Sequence, residues 1–126
     1  MKTVSNNKQS VAWFRLAECV DRGEKEKALA FHRLLTHSYN DYAFIKKLEA
    51  DILAFFQDAQ ASLNAYEQAA ILYTQAERFF EAALIYEYLL AGMSRDHQKS
   101  SLYRQKALEL FTHLGNNEKI YLYSNL

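Results

Sequence analysis

The sequence holds no proline, only three glycines and a single cysteine in 126 residues, and its fifteen basic side chains are matched by fifteen acidic ones. With glycine confined to positions 23, 92 and 115, a sheet protein of this length would be short of turn formers, so the chain reads as all-α. Cys19 has no partner for an internal disulfide, which excludes a disulfide scaffold and fits a reducing compartment. A net charge of zero removes the general attraction to nucleic acid or anionic membrane that a basic domain carries. No apolar run approaches the roughly twenty residues that span a bilayer. The opening MKTVSNNKQS is polar, so no secretory h-region follows its lysine. A soluble, cytoplasmic protein is expected, with neither nucleic acid nor membrane as partner; export by a route without a cleaved signal stays open.

What is present is apolar and aromatic: half of the residues are hydrophobic, with nine tyrosines and eight phenylalanines. The length suits a single domain over 1–126 with one continuous core. Charge is unevenly spread, with seven basic and four acidic residues in 1–40 and three basic and eight acidic in 41–91. About seven helices are expected. After a polar lead-in, Ser10 caps a first helix carrying Trp13, Leu16, Ala17 and Val20 on one face. Gly23 ends it, and Ala28, Phe31, Leu34 and Leu35 form the next face. Asp41 caps a third helix over 42–57, apolar on more than one side. Asp58 starts a fourth and Leu90 ends a fifth. A loop over 91–98 follows, with Gly92 as the stop and Ser94 or Asp96 as the restart. Leu102, Tyr103, Ala107, Leu110, Phe111 and Leu114 make the sixth packing face. Gly115 then closes that helix, and Asn116 or Asn117 caps the last. Short connections make successive helices antiparallel neighbours.

Residues 58–90 carry the clearest pattern. Tyr66, Ala69, Ala70 and Tyr73 recur at the spacing of one helical face, and Phe79, Ala82, Ala83 and Tyr86 repeat it after a polar break. Alanine at such a face lets two helices approach closely, and the aromatics beside it fill the flanking space. Residues 58–75 and 78–91 are therefore expected to pack as one antiparallel pair, crossing near Ala69, Ala70 and Ala82. Gly23, Ala28 and Leu35 also find counterparts 34 residues later in Gln57, Ser62 and Ala69.

In these features the chain resembles the tetratricopeptide repeat family. Tyr66 stands at the large position of helix A, Ala69 and Ala70 at the leucine–glycine pair, and Tyr73 at the following tyrosine. Ala82, Tyr86 and Leu89 stand at the alanine, aromatic and alanine positions of helix B. The match covers about a quarter of the chain; alanine replaces the commonest glycine, Leu89 replaces a small residue, and the repeat-end proline is absent. The 34-residue offset and the 58–90 hairpin imply different pairings of the helices, and a generic helical bundle remains the other architecture. The resemblance implies a right-handed α-α superhelix, a TPR-like solenoid, that binds a protein or peptide segment in a groove lined by helix A. Carried onto this hairpin, the groove positions are Asn64, Glu67, Ile71, Thr74 and Gln75. Asn64 and Gln75 would bond a partner's backbone, Glu67 would meet a basic residue, and Ile71 would give apolar contact or belong to the core.

Chemistry for catalysis is sparse, so no enzyme, metal or cofactor is expected. His32 and His37 lie five apart and diverge around a helix; His97 and His113 have no histidine three or four residues away. Glu77 and Glu81 share a face without a histidine beside them, and no two glycines lie closer than 23 residues, which excludes a phosphate loop. An adaptor or scaffold for a protein segment is the first expectation. The second is a structural module that pairs with itself as a homodimer through its terminal helices, using Tyr121 and Tyr123.

Overall fold

The computed structural model describes residues 3–93 and 97–125, with side chains described for 11–92 and 98–125. Among the described residues there are seven α-helices: α1 (Thr3–Asp21), α2 (Lys25–Ser38), α3 (Tyr42–Phe55), α4 (Ala59–Gln75), α5 (Phe79–Tyr88), α6 (His97–Leu114) and α7 (Asn117–Ser124). Contacts divide the chain into two compact units, Met1–Ala65 and Tyr66–Leu126, the division falling within α4.

One turn is used four times. Gly23, Gln57, Glu77 and Gly115 all have positive φ, between 59° and 73°. At each, the following N–H reaches back over the turn to a carbonyl five residues earlier: Glu24 to Cys19, Asp58 to Leu53, Arg78 to Tyr73 and Asn116 to Phe111, at 2.8–3.0 Å. A second bond inside the first completes the left-handed helix ending. The residue after the left-handed one already starts the next helix, its carbonyl accepting from Ala28, Ser62, Ala82 or Ile120. The helices on either side of these four turns thus follow one another without a loop between them.

The residues placed at fixed distances after these turns repeat as well. Ala28, Ser62 and Ala82 each lie five positions on, and Leu35, Ala69 and Leu89 twelve positions on; all six are fully buried. Since the same turn stands on both sides of α4, the 34-residue offset and the 58–90 hairpin are both present. They are two ways of pairing neighbours in one series of equivalent turns.

In unit 1, α1 packs against α2 and α2 against α3. Leu16, Cys19, Ala28, Leu35, Ile45 and Ile52 form the core, and the rings of Trp13, Tyr39 and Phe44 close its side at about 6 Å from one another. Two buried polar side chains grip α3. His32 Nε2 lies 2.8 Å from the Ile45 carbonyl, and Ser62 Oγ donates to the Ala50 carbonyl at 2.9 Å. Asp41 caps α3 by accepting from the Phe44 N–H at 3.1 Å. The Asp58 carboxylate instead receives Lys25 Nζ at 3.2 Å, leaving its backbone carbonyl to start α4.

In unit 2, the Tyr66 and Tyr88 rings meet at 5.0 Å and the Arg78 guanidinium lies over Tyr73 at 4.7 Å. These contacts join opposite ends of the α4 segment and α5, so the two run antiparallel. Ala69, Ala70, Ala82 and Ala83 are fully buried on these helices. α5 packs on α6 and α6 on α7. Phe111 stacks on Tyr123 and Phe79 on His113. Asn116 caps α7 by accepting from the Lys119 N–H at 3.1 Å.

Several boundaries and faces differ from the sequence expectation. Ala17 and Leu34, expected on packing faces, are exposed, because α1 turns Leu16 and Cys19 inward and α2 turns Ala28, His32 and Leu35 inward. α1 begins at Thr3, so Ser10 lies inside it; the polar residues before Ser10 include no glycine or proline to stop a helix. α5 does not stop at Gly92 but widens into a π-helical turn over Leu89–Met93, and the expected restarts Ser94 and Asp96 lie outside the described residues. Leu102 and Leu114 are exposed, because α6 turns Tyr103, Ala107, Leu110 and Phe111 inward instead. Tyr121 is exposed while Tyr123 is buried.

Candidate functional site

Unit 2 contains an open groove of about 550 Å³. One wall is α4, contributing Ile71, Thr74 and Gln75, and the other is α6, contributing Leu102, Lys106, Glu109 and Leu110. Tyr86 of α5 forms the floor. The apolar content reaches solvent: Ile71 is 52% exposed and Leu102 47%. A helix surface spends such residues on water only where nothing in the chain covers them.

One end of the groove is closed by a three-residue clamp. Glu67 on α4 accepts from Lys99 Nζ at 3.1 Å and from the Tyr103 hydroxyl, both on α6. Lys99 and Tyr103 are four apart, so one helical face delivers both donors to one carboxylate. The same clamp occurs again twenty residues along: Glu87 on α5 accepts from Lys119 Nζ and the Tyr123 hydroxyl of α7, each at 2.6 Å. The sequence separations, 32 to the lysine and 36 to the tyrosine, are identical in both. The α6–α7 hairpin is therefore fixed to α4 and α5 by two equivalent charge-assisted clamps.

Burial and the nearby carboxylates set the local electrostatics. Burial, followed by the carboxylates of Glu67 and Glu109, raises the Tyr86 pKa above its ordinary value, so the groove floor keeps its phenolic proton. Burial and then the hydrogen bond and charge of Glu87 raise that of Tyr123. Along the α6 wall, the Lys106 ammonium has no ion-pair partner among the described residues. The Glu109 carboxylate receives only a long 3.5 Å bond from Gln105.

Of the five groove positions expected from sequence, Glu67, Ile71, Thr74 and Gln75 line this groove. Glu67 has partners of its own in Lys99 and Tyr103, which occupy the carboxylate expected to meet a partner's basic residue. The Thr74 hydroxyl is turned to the Ala70 carbonyl at 2.8 Å. Asn64 belongs to unit 1, is exposed, and accepts from Gln60 Nε2 at 3.2 Å. Sequence reasoning missed the whole α6 wall. The signal for it was present in the pairs Lys99/Tyr103 and Lys119/Tyr123, which stand at equal distances from Glu67 and Glu87.

Among the described residues no group of three histidine, cysteine, aspartate or glutamate side chains could hold a metal ion, and no helix is long and apolar enough to cross a membrane. Compared with family models, with curated proteins and with solved structures, the chain matches none.

Proposed function

We propose that the chain is a tetratricopeptide-like helical-repeat module, not an enzyme, whose unit-2 groove binds a segment of another protein as an adaptor or scaffold does. The observation that carries this reading is the groove itself. Exposed Ile71 and Leu102 face each other across a Tyr86 floor, with Lys106 and Glu109 at the rim. Apolar anchors inside a polar rim are what a protein segment requires: burial supplies affinity, and the rim charges select register and partner. The turns that repeat around α4, and the alanines buried at the helix contacts, support the tetratricopeptide-like description. Of the sequence-derived positions, Ile71, Thr74 and Gln75 are the ones free to contact the segment, with Glu67 holding the groove's end.

A selection of displayed peptides on the immobilised chain tests the reading. Enrichment of a peptide class by the wild-type chain, lost with Ile71→Glu or Leu102→Glu, is the expected result. Equal enrichment by wild type and both variants would contradict a groove function. The second reading, a module that associates with itself without using the groove, is favoured by Tyr121, 74% exposed on α7 beside exposed Leu122. It draws nothing from Tyr123, which is buried and bonded to Glu87.

A further inference from the structure

A second apolar face lies in unit 1. On α1, Phe14 is 67% exposed, with exposed Val11 one turn before it. Glu18 and Arg22 follow Phe14 at steps of four on the same helical face. Their mutual contact is a loose 3.5 Å bridge with Arg22 largely in solvent, a pairing that contributes little and is easily exchanged. Read along the helix, this face presents an apolar ring with Arg15 beside it, then an acid, then a base.

The unit-2 groove presents the complement in the same direction. Leu102, facing Ile71, is followed one turn later by Lys106 and nearly one turn later again by Glu109. That order is apolar, base, acid, and neither rim charge is satisfied by a counter-ion among the described residues. Laying α1 parallel to α6 with Phe14 between Ile71 and Leu102 brings Glu18 to Lys106 and Arg22 to Glu109. The three pairs meet in one register, with steps of four and four on α1 against four and three on α6, whereas a reversed helix would carry its charges away from Lys106 and Glu109.

We propose that the α1 face of a second copy of this chain occupies the groove, so that the chain associates with itself through Phe14, Glu18 and Arg22 on one side and Leu102, Lys106 and Glu109 on the other. This rests on the reading of the groove as a site for a protein segment, and names that segment. The two faces are unlike, so one copy's α1 fills the other's groove.

Sedimentation of the purified chain over a range of concentrations tests the proposal. A mass rising above the 14.7 kDa of one chain at micromolar concentration is expected. Phe14→Glu on the donor face and Ile71→Glu in the groove should each weaken association about tenfold or more, as loss of a central anchor does. Glu18→Lys and Lys106→Glu should each weaken it, and the two together should restore it, since only the direction of the pair is reversed. A single 14.7 kDa species throughout, association indifferent to Phe14→Glu, or failure of the double variant to recover would each overturn the proposal. If the chain stays monomeric yet still enriches peptides in an Ile71-dependent way, the groove reading stands and the second copy is excluded as its occupant. If Ile71→Glu changes neither mass nor peptide enrichment, both fall.

Discussion

In unit 1 the helix α3 is gripped from two neighbours by His32 and Ser62, each buried and each bonded to a backbone carbonyl. In unit 2 the corresponding task falls to half-buried carboxylates, Glu67 and Glu87, each drawing a lysine and a tyrosine from the hairpin that follows. The two units share one turn geometry and one pattern of buried small residues. Unit 1 has an ion pair of its own, the partly exposed Lys25–Asp58 contact, but its α3 is held by buried bonds to carbonyls, so the difference lies in what locks α3 and what locks α6 and α7. A buried hydrogen bond to a backbone carbonyl is shielded from salt and demands close packing. A partly exposed ionic clamp responds to salt and pH and leaves room beside it. The groove lies in the unit held by clamps, with one clamp closing its end.

The contrast can be broken most severely on the buried side. His32→Ala removes a buried ring and its bond to Ile45 together, and unit 1 should lose about 2–4 kcal/mol, read by denaturant unfolding. A loss below about 1 kcal/mol would show that the ring is not a structural lock. Ser62→Ala should cost less, about 1 kcal/mol, because alanine already fills the equivalent positions 28 and 82 and only the hydrogen bond is lost.

On the charged side, Glu87→Gln keeps the shape of the side chain and removes its charge. A cost of about 1–2 kcal/mol is expected, shrinking as salt is raised. The tyrosine of the same clamp sharpens the prediction. The Tyr123 pKa is higher in the fold than its ordinary 10.0, first through burial and then through Glu87. The stability this contributes is complete below that ordinary value and is lost as pH climbs above it toward the folded value. Tyr123→Phe should therefore flatten the decline of unit 2 stability in alkaline solution, followed by circular dichroism from neutral pH upward. An unchanged slope would show that the hydroxyl does not carry that dependence.

The smallest effect concerns the turns that the units share. Gln57 and Glu77 hold positive φ values of 63° and 59° where Gly23 and Gly115 stand in the equivalent turns. Gln57→Gly and Glu77→Gly should each raise stability, by about 0.5–1 kcal/mol, once the steric cost of a Cβ in that conformation is removed. A matching pair of increases in thermal melting would confirm that the turns are equivalent; a decrease in one alone would separate them.

Most of the helices could be read from residues, because their determinants are local. Asp41 and Asn116 cap as their positions suggest, Gly23 and Gly115 terminate as glycine allows, and Ala69, Ala70, Ala82 and Ala83 are buried where their spacing places them. Gln57 and Glu77 were harder to read as turns, since nothing in a glutamine or glutamate advertises left-handed backbone. The start of α1 was missed because polar residues without a breaker are as compatible with helix as with a frayed end. The α4 wall of the groove came from the positions that the tetratricopeptide resemblance implies for helix A. Its α6 wall did not, since a groove between alternate helices depends on which residues 32–36 positions apart meet. For the same reason Glu67 looked like a contact for a partner, although its partners are Lys99 and Tyr103.

Amide hydrogen exchange followed by mass spectrometry, at low and at high salt, puts the claim that unlike chemistry locks the two units to its most direct test. High salt should speed exchange in α6 and α7 while leaving α2 and α3 unchanged, and Glu87→Gln should reproduce that acceleration at low salt. Equal responses of the two units to salt, or protection of α6 and α7 that salt does not touch, would contradict it.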